Sequence, residues 1–165
     1  MRTGVLQEGF LAGWALLAAA WDLRRRRLPN ALTLGGVALG ALWVALAGQG
    51  FGGAAPALCW TGLAAGLLAL LPAYALGKMG AGDVKLFAAM GMLGGLWVLG
   101  PTLILASLLA GLQALWLLLG RHEWVPQPPL WLGGGAVGRE IPFGVGLGLA
   151  FTLTLWAGWS HPWFA

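Results

Sequence analysis

Two aspartates, Asp22 and Asp83, are the residues of this chain best suited to chemistry, and each stands where an apolar run meets a polar one. Two carboxylates brought to one point can share a proton. One then acts as base toward water and the other as acid toward a carbonyl oxygen, the chemistry of an aspartic protease. That use requires both side chains at one depth on one side of whatever holds them. Read singly, each has a plainer role. Asp22 can pair in solvent with the arginines that follow it, and Asp83 can cap a helix, since aspartate favours helix N-termini. Gly80 and Gly82 either let an extended peptide approach the backbone closely or simply shape the turn before Asp83. Other catalytic sets lack support. His122 and His161 stand apart, without partners at metal-ligand spacing. The only serines, Ser107 and Ser160, have no G-x-S-x-G setting. A lone cysteine, Cys59, excludes an internal disulfide and a four-cysteine zinc site. No metal or cofactor is expected.

The elements that must carry the aspartates follow from composition. The chain has 165 residues, 59% hydrophobic and only 8% charged, against roughly 25% charged in an ordinary soluble domain. So little charge cannot form the polar shell of a soluble monomer, and so much apolar content excludes disorder. A helix crosses a bilayer with about 20 apolar residues. The apolar runs predict an all-α, polytopic membrane helix bundle of about six transmembrane helices with short loops. The spans fall at about 5–21, 31–47, 54–76, 84–99, 102–119 and 141–159, in one integral membrane domain over 1–165. Pro29 and Asn30 set the break between the first two. Gly100-Pro101 predicts a tight reversal between the fourth and fifth. The longest loop, 121–140, is rich in Pro and Gly. On this plan Asp22 ends the first helix and Asp83 begins the fourth.

Orientation follows from the cations. Of nine Lys and Arg, eight lie in the loops after the first, third and fifth runs, and only Arg2 dissents. The positive-inside rule puts those loops in the cytoplasm and both termini outside. Both aspartates then lie near the cytoplasmic face. Ala18-Ala19-Ala20 resembles a signal-peptide cleavage site, but four arginines, Arg24 to Arg27, follow and oppose translocation. The net charge of +4 lies beside apolar segments, which indicates topology and anionic membrane lipid rather than nucleic acid. Lys85 can grip lipid phosphate, lower an aspartate's pKa, or snorkel as a topology charge.

Small residues recur within the runs as G-x-x-x-G pairs: Gly36/Gly40, Gly62/Gly66, Gly91/Gly95 and Gly144/Gly148. In lipid, helices associate by close backbone approach, which glycine allows, so helix packing suffices to explain all four. Pro142-Phe143-Gly144 either positions a substrate or starts a helix with proline in its first turn.

Three segments together resemble the type IV prepilin peptidases. Asp22-Leu23-Arg24 followed by Leu28-Pro29-Asn30-Ala31-Leu32-Thr33 is similar to their first signature. Gly80-Ala81-Gly82-Asp83-Val84-Lys85 looks like their G-x-G-D-x-K. Ile141-Pro142-Phe143-Gly144 resembles the Pro-Phe-Gly segment that opens their last helix, although Val145-Gly146 follows where many members have a second proline. The resemblance covers about residues 15–150. It implies a membrane aspartyl endopeptidase that removes the short basic leader of pilin-like precursors at the cytoplasmic face, with Asp22 and Asp83 catalytic. Gly80, Gly82, Lys85, Pro142, Phe143 and Gly144 would shape the site or bind substrate. The implied partners are a pilin-like precursor and the pilus assembly machinery. Bifunctional members carry a cysteine-bearing cytoplasmic insertion and also N-methylate the trimmed pilin. This chain has no such insertion and looks like the short, peptidase-only members of tight-adherence pili or the archaeal preflagellin peptidases, so methyl transfer is not expected.

Three other readings stay open. A small proton- or cation-coupled transporter would use intramembrane acids, but at mid-span and within an internal repeat. A structural subunit of a secretion complex would use the aspartates as caps. A presenilin-like or signal-peptide-peptidase-like intramembrane protease shares G-x-G-D, but pairs it with Tyr-Asp where this chain has Trp21-Asp22.

Overall fold

The computed structural model describes residues 3–25, 28–119 and 143–157. The protein is an all-α membrane helix bundle, with no strand among the described residues. Its helices are α1 (Thr3–Arg25), α2 (Asn30–Ala47), α3 (Pro56–Ala75), α4 (Ala81–Gly94), α5 (Leu96–Leu119) and α6 (Phe143–Trp156), with a short 3-10 turn at Phe51–Gly53 between α2 and α3. Their ends follow local chemistry. Pro56 opens α3 in the first turn, where its missing N–H costs nothing. Gly48 ends α2 in the left-handed conformation, φ 68°, and its N–H donates to the Val44 carbonyl.

α2, α3 and α5 are long and apolar enough to cross a membrane, and only 22% of each span is buried inside the bundle. Their outward leucines, such as Leu42, Leu46, Leu68 and Leu112, are exposed. In water that surface would be an aggregation hazard; against acyl chains it is the expected lining. α4 is the opposite case. Every residue from Leu86 to Gly94 is buried, as in a helix enclosed on all sides. It packs against α3, α2, α5 and α6, while α6 also packs against α1 and α5.

Glycine sets how closely these helices approach, and all four G-x-x-x-G pairs lie at contacts. A Cβ at Gly62 would run into the Gly91 carbonyl oxygen, and one at Gly66 would sit 2.8 Å from the Phe87 oxygen, so α3 and α4 meet backbone to backbone. Gly40 faces Met92 of α4, and a Cβ added at Gly148 of α6 would sit 2.6 Å from the Ala15 oxygen. Gly62→Ala must therefore push two helix backbones apart. Overpacking of this kind costs about 1–3 kcal/mol. Gly111→Ala, where nothing lies within 4 Å of the new methyl, removes only glycine's helix penalty of roughly 0.5–1 kcal/mol. Thermal unfolding in detergent should show a lower midpoint for Gly62→Ala and an equal or higher one for Gly111→Ala.

The break expected at Gly100-Pro101 falls instead at Gly95. Gly95 adopts φ 82°, open to glycine and strained for other residues, and its N–H donates to the Gly91 carbonyl at 2.9 Å. Pro101 lies inside α5, close enough to its start that the missing N–H removes one early hydrogen bond without ending the helix. α1 likewise runs past the expected 5–21 to Arg25, and Asp22, expected at the end of this helix, lies in its last turn.

Candidate active site

Asp22 reaches the interior by helical periodicity. Leu11, Ala15, Ala18 and Asp22 fall on one face of α1, and all are buried, Asp22 at 6% exposure. Arg24 and Arg25 turn to the exposed side. The buried face of α1 meets the small-residue face of α6. Gly148 lies against Ala15 and Ala19, and Gly144, one turn earlier, lies against Asp22. The two helices are therefore antiparallel, and the end of α1 meets the start of α6. There Asp22 Oδ2 accepts the Val145 backbone N–H at 3.2 Å. Val145 is the third residue of α6, where amide N–H groups have no partner within their own helix and the helix end is partially positive. A carboxylate from another helix satisfies that N–H.

Asp83 arrives from a different direction. It is the third residue of α4, whose N-cap is Gly80, and its own N–H donates to the Gly80 carbonyl at 3.2 Å. The Asp83 carboxyl in turn accepts the Gly80 backbone N–H, the return half of a capping box. Asp83 thus sits three residues after the N-cap rather than at it, and the bond from the Gly80 N–H aims its side chain. Asp83 stands one residue ahead of the apolar run that begins at Val84. Burial and, second, the nearby charge of Asp22 push its carboxyl up to about 7, against the pull of the Gly80 N–H.

Gly144 shows how near the two acids are. A Cβ there would sit 2.7 Å from Asp22 Oδ2 and 3.1 Å from Asp83 Oδ1, so the two oxygens lie within the sum of those distances of each other. α1, α4 and α6 thus converge on one point, with a residue lacking a side chain between the acids. Such a pair, desolvated and like-charged, holds one proton more readily than none. That is the protonation state needed to activate water and protonate a carbonyl together.

The other residues singled out from sequence fall around this point with separate tasks. Gly82 admits the Leu28 side chain, whose Cβ would be 3.1 Å from an added methyl. Lys85 Nζ donates to Asn30 Oδ1 at 3.0 Å, so its structural partner is the start of α2. Phe143 is half-buried and packs against the core. Pro142 lies outside the described residues, as do the 121–140 loop, His122 and His161. Sequence reasoning missed an open groove of about 550 Å³ lined by Trp21, Arg25, Leu28 and Pro29, in which the Arg25 guanidinium lies over the Trp21 ring at 5.1 Å. Its only sequence signal is an aromatic residue and a cation at i, i+4 around Asp22. Among the described residues no three His, Cys, Asp or Glu side chains gather at one point.

The sequence model of the type IV leader peptidase family matches residues 9–115. The chain belongs to the type IV leader peptidase family. The matched stretch contains both aspartates but stops before α6, which the fold brings to them. The chain is also 35% identical over 155 residues to a protein of Pseudomonas putida described as "Prepilin leader peptidase/N-methyltransferase". That alignment covers 87% of this chain and 47% of the relative, so the chain spans about half the length of the curated protein it matches. No solved structure matches it significantly.

Proposed function

We propose that this family member is a membrane aspartyl endopeptidase that removes the short basic leader of type IV pilin-like precursors. The observation that carries the reading is the convergence of Asp22 and Asp83 on Gly144. Asp22, facing the Val145 N–H, carries the charge and takes a proton from water. Asp83 holds the proton and gives it to the scissile carbonyl oxygen as the water oxygen bonds to the carbonyl carbon. The tetrahedral diol then collapses: the C–N bond breaks, the leaving amine takes the proton now on Asp22, and a hydroxyl proton returns to Asp83. Atoms and charge balance without a cofactor.

The chain acts as one domain in the cytoplasmic membrane, both termini outside and the aspartates near the cytoplasmic face. The eight loop cations support that orientation. Proteolysis alone is assigned. The relative's name includes a methyltransferase activity, for which the described residues offer no candidate group: the one cysteine of this sequence, Cys59, is buried in α3. The groove beside Asp22 presents the Arg25 cation, which repels a basic leader and suits the headgroups of anionic lipid instead.

The test is cleavage in membranes. The chain is co-expressed with a panel of pilin-like and preflagellin-like precursors, and the product's new N-terminus is sequenced. The Asp22→Asn/Asp83→Asn double variant serves as blank and the Pseudomonas relative as positive control. The expected product begins at the precursor's hydrophobic helix and is absent from the blank. A product in the blank, or none from the whole panel where the relative cleaves, sinks the reading.

A further inference from the structure

The connector at residues 28–30, which leads into α2, meets α4 at two points, and those points bracket Asp83. On one side Gly82 lets Leu28 press against the first turn of α4, with an added Cβ only 3.1 Å from Leu28 Cβ. On the other side Lys85 Nζ donates to Asn30 Oδ1 at 3.0 Å, across 55 residues of sequence. The backbone around Asn30 is tied into the first turn of α2, while its side chain is exposed. The Pro29 carbonyl accepts the N–H groups of Leu32 and Thr33, which starts α2, and the buried Thr33 hydroxyl donates back to the Asn30 carbonyl at 3.4 Å.

Lys85 therefore has a defined acceptor on a neighbouring helix, in an exposed side-chain bond, whereas a purely topological charge needs only water or lipid. Removing either partner removes this polar tie and leaves the start of α2 on α4 through the Leu28 contact and the apolar packing of the two helices, as at Gly40 and Met92. Asp22 lies on the helix before that connector and Asp83 between the two fastenings, so a slip here changes the separation of the two carboxylates. Acid–base catalysis needs hydrogen-bond reach at both groups, and a misplacement of about 1 Å can cost on the order of 100-fold in rate.

We infer that Asn30 and Lys85 form an interhelical clamp that sets the spacing of Asp22 and Asp83, both acting as positioning residues. The inference rests on the aspartyl peptidase reading for its catalytic consequence, and on geometry alone for its mechanical one. Asn30→Leu and Lys85→Met are each expected to lower kcat for leader cleavage about tenfold or more with KM within about twofold, a modest share of what a 1 Å slip can cost. The double variant should be no worse than the weaker single, because one contact is lost either way. Asn30→Asp keeps the acceptor oxygen and should restore kcat to within about threefold of the parent, since an ionised acceptor holds an ammonium at least as well. Unchanged kcat in both singles, a rise in KM alone, or losses that multiply in the double variant would overturn the clamp.

A second readout needs no substrate. In a Cys59→Ala background, Leu28→Cys and Gly82→Cys should form a disulfide, because a Cβ added at Gly82 would lie 3.1 Å from Leu28 Cβ, a few tenths of an ångström inside the usual disulfide spacing of about 3.5–4.5 Å. Adding Lys85→Met or Asn30→Leu should slow it several-fold. Equal rates with and without the clamp would refute it even if no precursor were cleaved, whereas slowed crosslinking without cleavage would leave the clamp standing and fault the peptidase reading.

Discussion

Asp22→Asn and Asp83→Asn are each expected to lower kcat for leader cleavage by about 10²–10⁴-fold, the range for a positioned acid or base, while the bundle stays folded. Asparagine keeps the shape of aspartate but can neither take the proton from water nor give one to the carbonyl. The two losses should not multiply, because groups that act as one unit fail together. Membrane insertion and thermal midpoint measured beside kcat separate chemistry from folding. Cleavage at the parental rate in either variant would remove that residue from the mechanism. The same pair predicts a bell-shaped pH dependence whose limbs belong to the pair rather than to either residue. The Asp83 carboxyl, pushed up to about 7, keeps its proton below that pH and loses it above. Activity that needs an acid at this position should therefore fall as pH rises through about 7. On the acid side it should fall as the second carboxylate becomes protonated. A kcat/KM profile flat from pH 5 to 9 would contradict the shared-proton arrangement.

Gly144→Ala carries the second-largest expected effect. Its methyl would stand 2.7 Å from Asp22 Oδ2, 2.9 Å from Asp22 Cγ and 3.1 Å from Asp83 Oδ1, closer than carbon and oxygen pack without repulsion. Either the carboxylates separate or α6 backs away. If α6 moves, the Val145 N–H, now 3.2 Å from Asp22, is withdrawn as well. Both outcomes take the acids out of register, and kcat should fall about 100-fold. Gly146→Ala is the control on the same helix. Its methyl would come no nearer than 3.5 Å to anything, the Ala106 oxygen being closest, so activity should stay within about twofold of the parent, as for a substitution that disturbs no packing. Equal activity of Gly144→Ala and Gly146→Ala would show that the carboxylates do not close around Gly144 in the working enzyme.

The sequence made some of this legible and concealed the rest for identifiable reasons. The buried stripe Leu11, Ala15, Ala18 and Asp22 was readable in principle, since a spacing of three and four residues defines a helix face. An all-apolar run hides that face, because every residue in it is hydrophobic. Gly144 stood in a recognisable Pro-Phe-Gly segment, but its position between two carboxylates depends on three helices meeting. Lys85 was legible as a cation near a membrane boundary, and its actual acceptor, Asn30, belongs to another helix. The misplaced break is instructive in the same way. Proline and glycine at 100–101 are the stronger local signal, yet Gly95 ends α4 because the close approach of α3 at Gly62 and Gly91 governs where that helix can stop.

Composition and charge by themselves determined that this chain lives in lipid as an all-α bundle and that its two aspartates stand at the ends of apolar runs. Those properties are sums over residues: the partition of apolar side chains and the saturation of backbone hydrogen bonds require helices whatever their arrangement. Tertiary structure alone decided that the end of α1 and the starts of α4 and α6 meet, with a bare glycine backbone between two carboxylates. That outcome depends on steric fit to a few tenths of an ångström across helices far apart in the chain, and such fit is a property of surfaces in contact rather than of any one run of residues.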